Sequence, residues 1–315
     1  MKKTLKGIVV PLVTPLLNND KLDVEGLERL IEHVVEGGVH GVFVLGTTGE
    51  SQSLGFSLRE EMISRTAEIL KGRVPLLVGI SDTSIADSVR LSKTAEANGA
   101  YAVVSAPPYY FASAQPELID FYETLIPQLG LPIFLYNMPT HTKVSFAPGS
   151  IKKIAENEKV IGFKDSSANG GYFQSVMYEM KDKKDFAIFV GPEDMTGEVV
   201  LMGASGGVNG GANMFPKLYV AMYDAAKEGN IECVRELQKL IMQVSTSIYN
   251  KGKYGSSYLM GLKCALSVLG LCSGELAKPF SKFDKNGEKE IRQAVEELTT
   301  HPLLANEIKV KQNHF

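Results

Sequence analysis

Residues 41–80 read GVFVLGTTGESQSLGFSLREEMISRTAEILKGRVPLLVGI. The run 41–45 is apolar without a break, as in a strand buried on both faces. Residues 46–50 set glycines around two hydroxyls, a turn composition. From 57 to 70 the pattern is amphipathic at helical spacing. Gly72 stands just past its end, where a left-handed residue commonly stops a helix. Residues 75–80 are a second buried run. The segment is one strand, one helix and the next strand.

The same unit recurs along the chain. Further buried runs fall at 7–10, 102–105, 132–136, 160–164, 186–190 and 206–208. Helical patterns fall at 24–36, 85–98, 117–129, 147–155, 172–180, 196–202 and 217–228. Gly37-Gly38, Gly99, Gly130 and Gly229 follow helix ends. Eight units in 228 residues predict an α/β fold, a closed (β/α)8 TIM barrel. A doubly wound nucleotide fold would carry G-x-G-x-x-G after its first strand. No G-x-G and no Walker A motif occur, so that reading is set aside. The barrel is assigned residues 1–228. Residues 229–315 read as a helical extension packed on it, with helices at 231–249, 256–269 and 288–298. Asn286-Gly287 is a turn signal before the last helix.

Composition narrows the partners. The chain has 315 residues, and 33 Lys+Arg against 36 Asp+Glu leave a net charge of −3. No basic stripe exists for a phosphate backbone, so no nucleic acid is expected. Cys233, Cys264 and Cys272 are an odd count without C-x-x-C, which argues for a reducing cytoplasm and against a thiolate metal site. The start, Met1-Lys2-Lys3 and an apolar run, is broken by Pro11 and Pro15 and does not read as a leader. No apolar run is long enough to span a membrane.

A barrel places its chemistry at the C-terminal ends of strands. Strand 2 ends in Gly46-Thr47-Thr48-Gly49-Glu50, either an ordinary turn or a nest of N–H groups for a carboxylate or phosphate. Strand 4 leads to Pro107-Pro108-Tyr109-Tyr110-Phe111. Strand 5 ends in Tyr136-Asn137-Met138-Pro139. Strand 6 ends in Gly162-Phe163-Lys164-Asp165-Ser166. A lysine pointing into a barrel mouth is desolvated, which favours the free, nucleophilic amine. Together these supply an amine, two phenols and a carboxylate cradle, as a Schiff-base lyase of 2-oxo acids requires.

With these motifs the sequence resembles the dihydrodipicolinate synthase / N-acetylneuraminate lyase family. The carrying motifs are Gly46-Thr47-Thr48-Gly49-Glu50, Tyr136-Asn137-x-Pro139 and Gly162-x-Lys164-Asp165. The resemblance implies that Lys164 forms the Schiff base with C2 of pyruvate or a larger 2-oxo acid. It implies that Tyr136 shuttles the substrate proton and that Thr47 relays between Tyr136 and Tyr110. In many members the residue matching Tyr110 enters a neighbouring subunit's site, so a homo-oligomer, a dimer or tetramer, is expected. Thr48, with Gly46 and the adjacent N–H groups, would hold the carboxylate, and the Val208 carbonyl would line the pyruvate pocket. The protonated imine is the electron sink, so no metal or organic cofactor is expected. A phenol titrates near 10 in water, and an adjacent iminium charge helps it act at neutral pH.

Two departures bear on the second substrate. The lysine-pathway synthase typically places Arg where this chain has His141, and a neutral imidazole lacks the bidentate fork for a carboxylate. His141 is then either a substrate-contacting donor or an exposed loop residue. Glu193 and Asp194 follow strand 7, where sialic acid lyases bind sugar hydroxyls; the alternative is a cap for the next helix. Ser166 could add a contact. The glycines of 206–211 would leave room for a longer substrate tail. The expected function is Schiff-base cleavage or condensation of a 2-oxo acid, a sugar acid, with pyruvate and an aldehyde as partners. The alternatives are a dihydrodipicolinate synthase condensing pyruvate with aspartate semialdehyde, and a non-catalytic 2-oxo-acid-binding protein.

Overall fold

The computed structural model describes residues 4–18 and 20–305. The Met1-Lys2-Lys3 start and His314 lie outside the described residues. Eight parallel strands form a closed barrel: β1 Gly7–Pro11, β2 Gly41–Val44, β3 Leu76–Gly79, β4 Ala102–Ser105, β5 Ile133–Asn137, β6 Val160–Asp165, β7 Ala187–Val190 and β8 Gly206–Val208. Going round, each strand pairs with its sequence neighbours, and β8 closes on β1. The predicted (β/α)8 barrel is the fold observed.

Alternation along the strands separates two apolar layers. Val9, Phe43, Leu77, Val104, Phe134 and Phe189 fill the barrel. Ile8, Val10, Val42, Val44, Leu76 and Val78 face the other way and pack under the helices. This is the period-two geometry of a strand buried on both sides. The sequence therefore shows no polar alternation, only continuous apolar runs.

The helices between strands are α1 Val24–Glu36, α2 Phe56–Leu70, α3 Ile85–Ala97, α4 Gln115–Leu125, α5 Pro148–Ile154, α6 Gly170–Glu179, α7 Thr196–Leu201 and α8 Pro216–Lys227. Asp23 caps α1 by accepting the Gly26 N–H at 2.9 Å. Gly38, Gly72, Gly99 and Gly229 have φ between +69° and +83°, the left-handed stop that the sequence signals. Gly130 is different. A 3₁₀ turn, Ile126–Gln128, follows α4, and Gly130 instead gives room to the Glu96 carboxylate, which a Cβ would meet at 2.1 Å.

The remaining helices are α9 Ile231–Val244, extended by a π-helical turn at Ser245–Tyr249, α10 Ser257–Val268, α11 Lys285–Leu298 and the short α12 Pro302–Ala305. Asn286-Gly287 is not a turn before the last helix. Asp284 accepts the Gly287 N–H at 2.8 Å and caps α11, which draws both residues into its first turn. The local turn preference yields to the cap. A two-stranded hairpin, Leu16–Asn18 with Lys21–Leu22, and the helical turn Pro139–Thr142 have no counterpart in the strand and helix pattern read from the sequence.

Candidate active site

The β5–β6 register pairs Tyr136 with Lys164. Both share the inward parity of Phe134, so both side chains project into the barrel mouth. Gly162, two residues before Lys164, has no Cβ because the Phe134 ring occupies that space at 2.2 Å. Lys164 is only 6% exposed. Its Nζ lies 4.1 Å from the centroid of the Tyr136 ring and 5.2 Å from that of Phe43. The outward-facing neighbours fix the strand ends. Asn137 Nδ2 donates to Asp165 Oδ1 at 2.8 Å, and Asp165 accepts from the Ser167 hydroxyl and N–H. Burial holds the Asp165 carboxyl above its ordinary range, against those hydrogen bonds.

The loop after β2 arrives opposite. Leu45 and Glu50 bracket it with φ of +58° and +56°, left-handed positions that non-glycine residues adopt at a cost. Gly79 permits the close approach, since a Cβ there would meet the Leu45 carbonyl at 2.1 Å. The N–H groups of Gly49 and Glu50 turn back to the carbonyls of Gly46 and Thr47. Among the described residues, the N–H groups of Thr47 and Thr48 donate to no backbone carbonyl, so they stay open. The Thr47 hydroxyl lies 3.1 Å from the Tyr136 hydroxyl. The Thr48 hydroxyl lies 3.2 Å from that of Tyr258.

Lys164, Tyr136, Thr47, Thr48, Ser166, Val208, Glu193, Asp194 and His141 all line one cavity of about 450 Å³. A second cavity of about 420 Å³ includes Gly46 and shares Thr47, Tyr136 and His141 with the first. His141 sits on the turn Pro139–Thr142 with its Nδ1 3.0 Å from the Thr140 hydroxyl. Partial burial holds its imidazole below the ordinary range.

Tyr110 is 71% exposed and edge-stacked on Phe111, outside the cavity of its own chain. Tyr109 lines the second cavity instead. Glu193 does not cap the following helix, whose N-cap is Met195. Its carboxylate accepts the Gly211 N–H at 2.7 Å, the Tyr219 hydroxyl, and the Tyr249 hydroxyl at 3.1 Å. Burial raises its carboxyl above the ordinary range, against those hydrogen bonds. Asp194 is exposed, and its backbone carbonyl accepts from Gln238 at 2.9 Å.

The glycines after β8 do not leave room for substrate. A Cβ on Gly210 would meet the Tyr258 hydroxyl at 1.7 Å, and one on Gly211 the Tyr219 hydroxyl at 2.0 Å. The protein's own phenols fill that space. Tyr249, Tyr258 and Leu259 of the C-terminal helices, with Phe280 of the loop between α10 and α11, line the cavity and escape sequence reasoning. The paired glycines are the one local sign that something bulky approaches.

A model of the dihydrodipicolinate synthetase family matches residues 4–298. A 4-hydroxy-tetrahydrodipicolinate synthase of Methanospirillum hungatei is 29% identical over 92% of this chain and 98% of its own. A probable 2-dehydro-3-deoxy-D-pentonate aldolase of Escherichia coli is 30% identical over 77% of this chain and 81% of its own. A solved dihydrodipicolinate synthase from Bacteroides thetaiotaomicron superposes with a TM-score of 0.92 at 64% identity, covering 94% of this chain and 100% of that one.

Proposed function

This chain belongs to the dihydrodipicolinate synthetase family, and within it we propose an aldolase that joins pyruvate to, or releases it from, a neutral polyhydroxylated aldehyde. It is a carbon–carbon lyase of the class I aldolase type. The observation that carries the proposal is the composition of the cavity around Lys164. Among the described residues its only basic side chains are Lys164 and His141, and burial disfavours the charged form of the latter. No guanidinium among the described residues lines it to grip a second carboxylate. Asp194, Ser166 and the hydroxyl-bearing wall suit hydroxyl groups.

The chemistry follows from the placement of groups. The Thr48 hydroxyl and the open N–H groups of Thr47 and Thr48 hold the 2-oxo acid carboxylate, while the Val208 segment closes the floor. The Lys164 amine adds to C2, and loss of water leaves an iminium. In cleavage, the Tyr136 oxygen takes the proton of the substrate hydroxyl as the carbon–carbon bond breaks. The bonding pair passes into the iminium and forms an enamine. Protonation at C3 and hydrolysis release pyruvate and restore the amine. Thr47, 3.1 Å from Tyr136, passes the proton on. The exposed Tyr110 and Phe111 fit a homo-oligomer in which the partner subunit's Tyr110 completes this relay. The sequence needs no metal or organic cofactor.

The test is borohydride reduction in the presence of pyruvate, read by peptide mass. An adduct on Lys164 is expected, and its absence from folded protein sinks the Schiff-base reading. Pyruvate release from a panel of 2-keto-3-deoxy sugar acids and sialic acid then identifies the aldehyde. A second reading, condensation of pyruvate with aspartate semialdehyde, is favoured by the synthase names of several relatives. Efficient turnover of that aldehyde would establish it and displace the first.

A further inference from the structure

We infer that Tyr258, carried into the barrel mouth by α10, is a positioning residue that turns the Thr48 hydroxyl toward the carboxylate of the bound 2-oxo acid. The inference rests on the reading of Thr48 as a carboxylate ligand and adds the group that orients it.

The Tyr258 hydroxyl lies 3.2 Å from Thr48 Oγ1. Burial, with the Glu193 carboxylate nearby, holds the Tyr258 phenol well above its ordinary range, so it keeps its proton. The Thr48 hydroxyl has one hydrogen, and when that hydrogen goes to the bound carboxylate the Tyr258 O–H is the donor of the pair. Thr48 then accepts with one lone pair, and its own hydrogen points elsewhere. Among the described residues, the adjacent Thr47 and Thr48 N–H groups donate to no backbone carbonyl. Two adjacent residues that line the cavity holding Lys164 thus offer three donors, the Thr48 hydroxyl and two N–H groups.

The phenol is held by a frame rather than by one contact. Its ring packs edge-on against Tyr249, with centroids 4.8 Å apart at 68°. Tyr249 lies in the π-helical turn Ser245–Tyr249 that ends α9, and donates to Glu193. Glu193 is bound from its other sides by Gly211 N–H and Tyr219. Gly210 leaves the gap into which the Tyr258 hydroxyl fits. These contacts hold the ring and the hydroxyl from several sides, which is what a positioning group requires.

The test uses Tyr258→Phe, which keeps the ring and removes the hydroxyl. The pyruvate concentration giving half-maximal borohydride trapping on Lys164, and the KM for pyruvate, are each expected to rise about 5- to 10-fold, the range for one lost hydrogen bond. The kcat at saturating pyruvate is expected to stay within about twofold. In a Thr48→Val background the same change is expected to have no further effect, because the group it orients is gone. Unchanged half-saturation in Tyr258→Phe overturns the inference, as does an equal, additive loss in the Thr48→Val background. If Tyr258→Phe does not fold, Gly210→Ala displaces the same hydroxyl and is expected to give the same Thr48-dependent rise. An unsubstituted enzyme that forms no adduct defeats the Schiff-base reading itself. An adduct with unchanged affinity in Tyr258→Phe defeats only the positioning role.

Discussion

Lys263 Nζ lies 2.5 Å from Glu50 Oε1, with both side chains completely buried. The other oxygen, Oε2, accepts the Ala277 N–H at 2.8 Å. This pair ties α10 and the segment beyond it to the end of the 46–50 loop, two residues from Thr48. Removing one partner of a buried pair leaves the other charged and unpaired, which costs about 3–5 kcal/mol. Lys263→Met is expected to lose stability on that scale in urea unfolding. Adding Glu50→Gln, which keeps an oxygen for Ala277, is expected to recover part of the loss. Two losses that simply add would show that the charges do not compensate each other.

Tyr136→Phe removes the hydroxyl that contacts Thr47 but keeps the ring beneath Lys164. Turnover is expected to fall about 10²- to 10⁴-fold, the range for a lost general acid/base. Borohydride trapping of pyruvate on Lys164 is expected to persist. Thr47→Val is expected to lower turnover by a smaller factor. Full activity in Tyr136→Phe would remove the phenol from the proton path.

His141→Arg installs a permanent cation at the junction of the two cavities. The KM for an aldehyde carrying a carboxylate, such as aspartate semialdehyde, is expected to fall about 10-fold or more, the worth of a charge-assisted contact. The KM for neutral polyhydroxylated aldehydes is expected to stay level or rise. No change for the anionic aldehyde would show that residue 141 does not reach the second substrate.

His40 gives the fold a pH dependence. Its Nδ1 accepts the Ile8 N–H at 3.1 Å, so that nitrogen carries no proton. Burial holds the ring below its ordinary value of 6.5, with Asp224 opposing and Lys227 assisting. The unfolded chain therefore takes up a proton near 6.5 while the native chain resists it. Stability is present above that pH and is lost as pH falls through the lower native value. Half-buried His33, bonded through Nε2 to the Met214 carbonyl at 2.9 Å, is shifted the same way, chiefly by burial. Urea midpoints between about pH 5 and 7 are expected to decline less steeply in His40→Asn. An unchanged slope would assign the decline to other groups.

The barrel was legible because its cause is local. Continuous apolar runs mark strands buried on both faces, and the count of eight closes the sheet. The strand runs matched to within a residue at most ends, because burial and backbone pairing act on the same few residues. The helix ends were less sharp where a cap competes with a turn signal, as at Asp284 with Asn286-Gly287. Strand parity puts Tyr136 and Lys164 on one side of their strands, and only the β5–β6 register sets them side by side.

The sequence by itself determined the (β/α)8 architecture and the strand ends at which an amine, a phenol and a threonine pair would stand. It determined these because hydrophobic period and turn chemistry are properties of neighbours in the chain. The tertiary structure alone decided which groups meet across the mouth. It gave Glu193 to Gly211, Tyr219 and Tyr249 rather than to a helix cap. It filled the space beside Gly210 with Tyr258, 210 residues from its partner Thr48. It turned Tyr110 outward. Such contacts are chosen by close packing and by the need to satisfy buried polar groups in three dimensions, and no local pattern carries them.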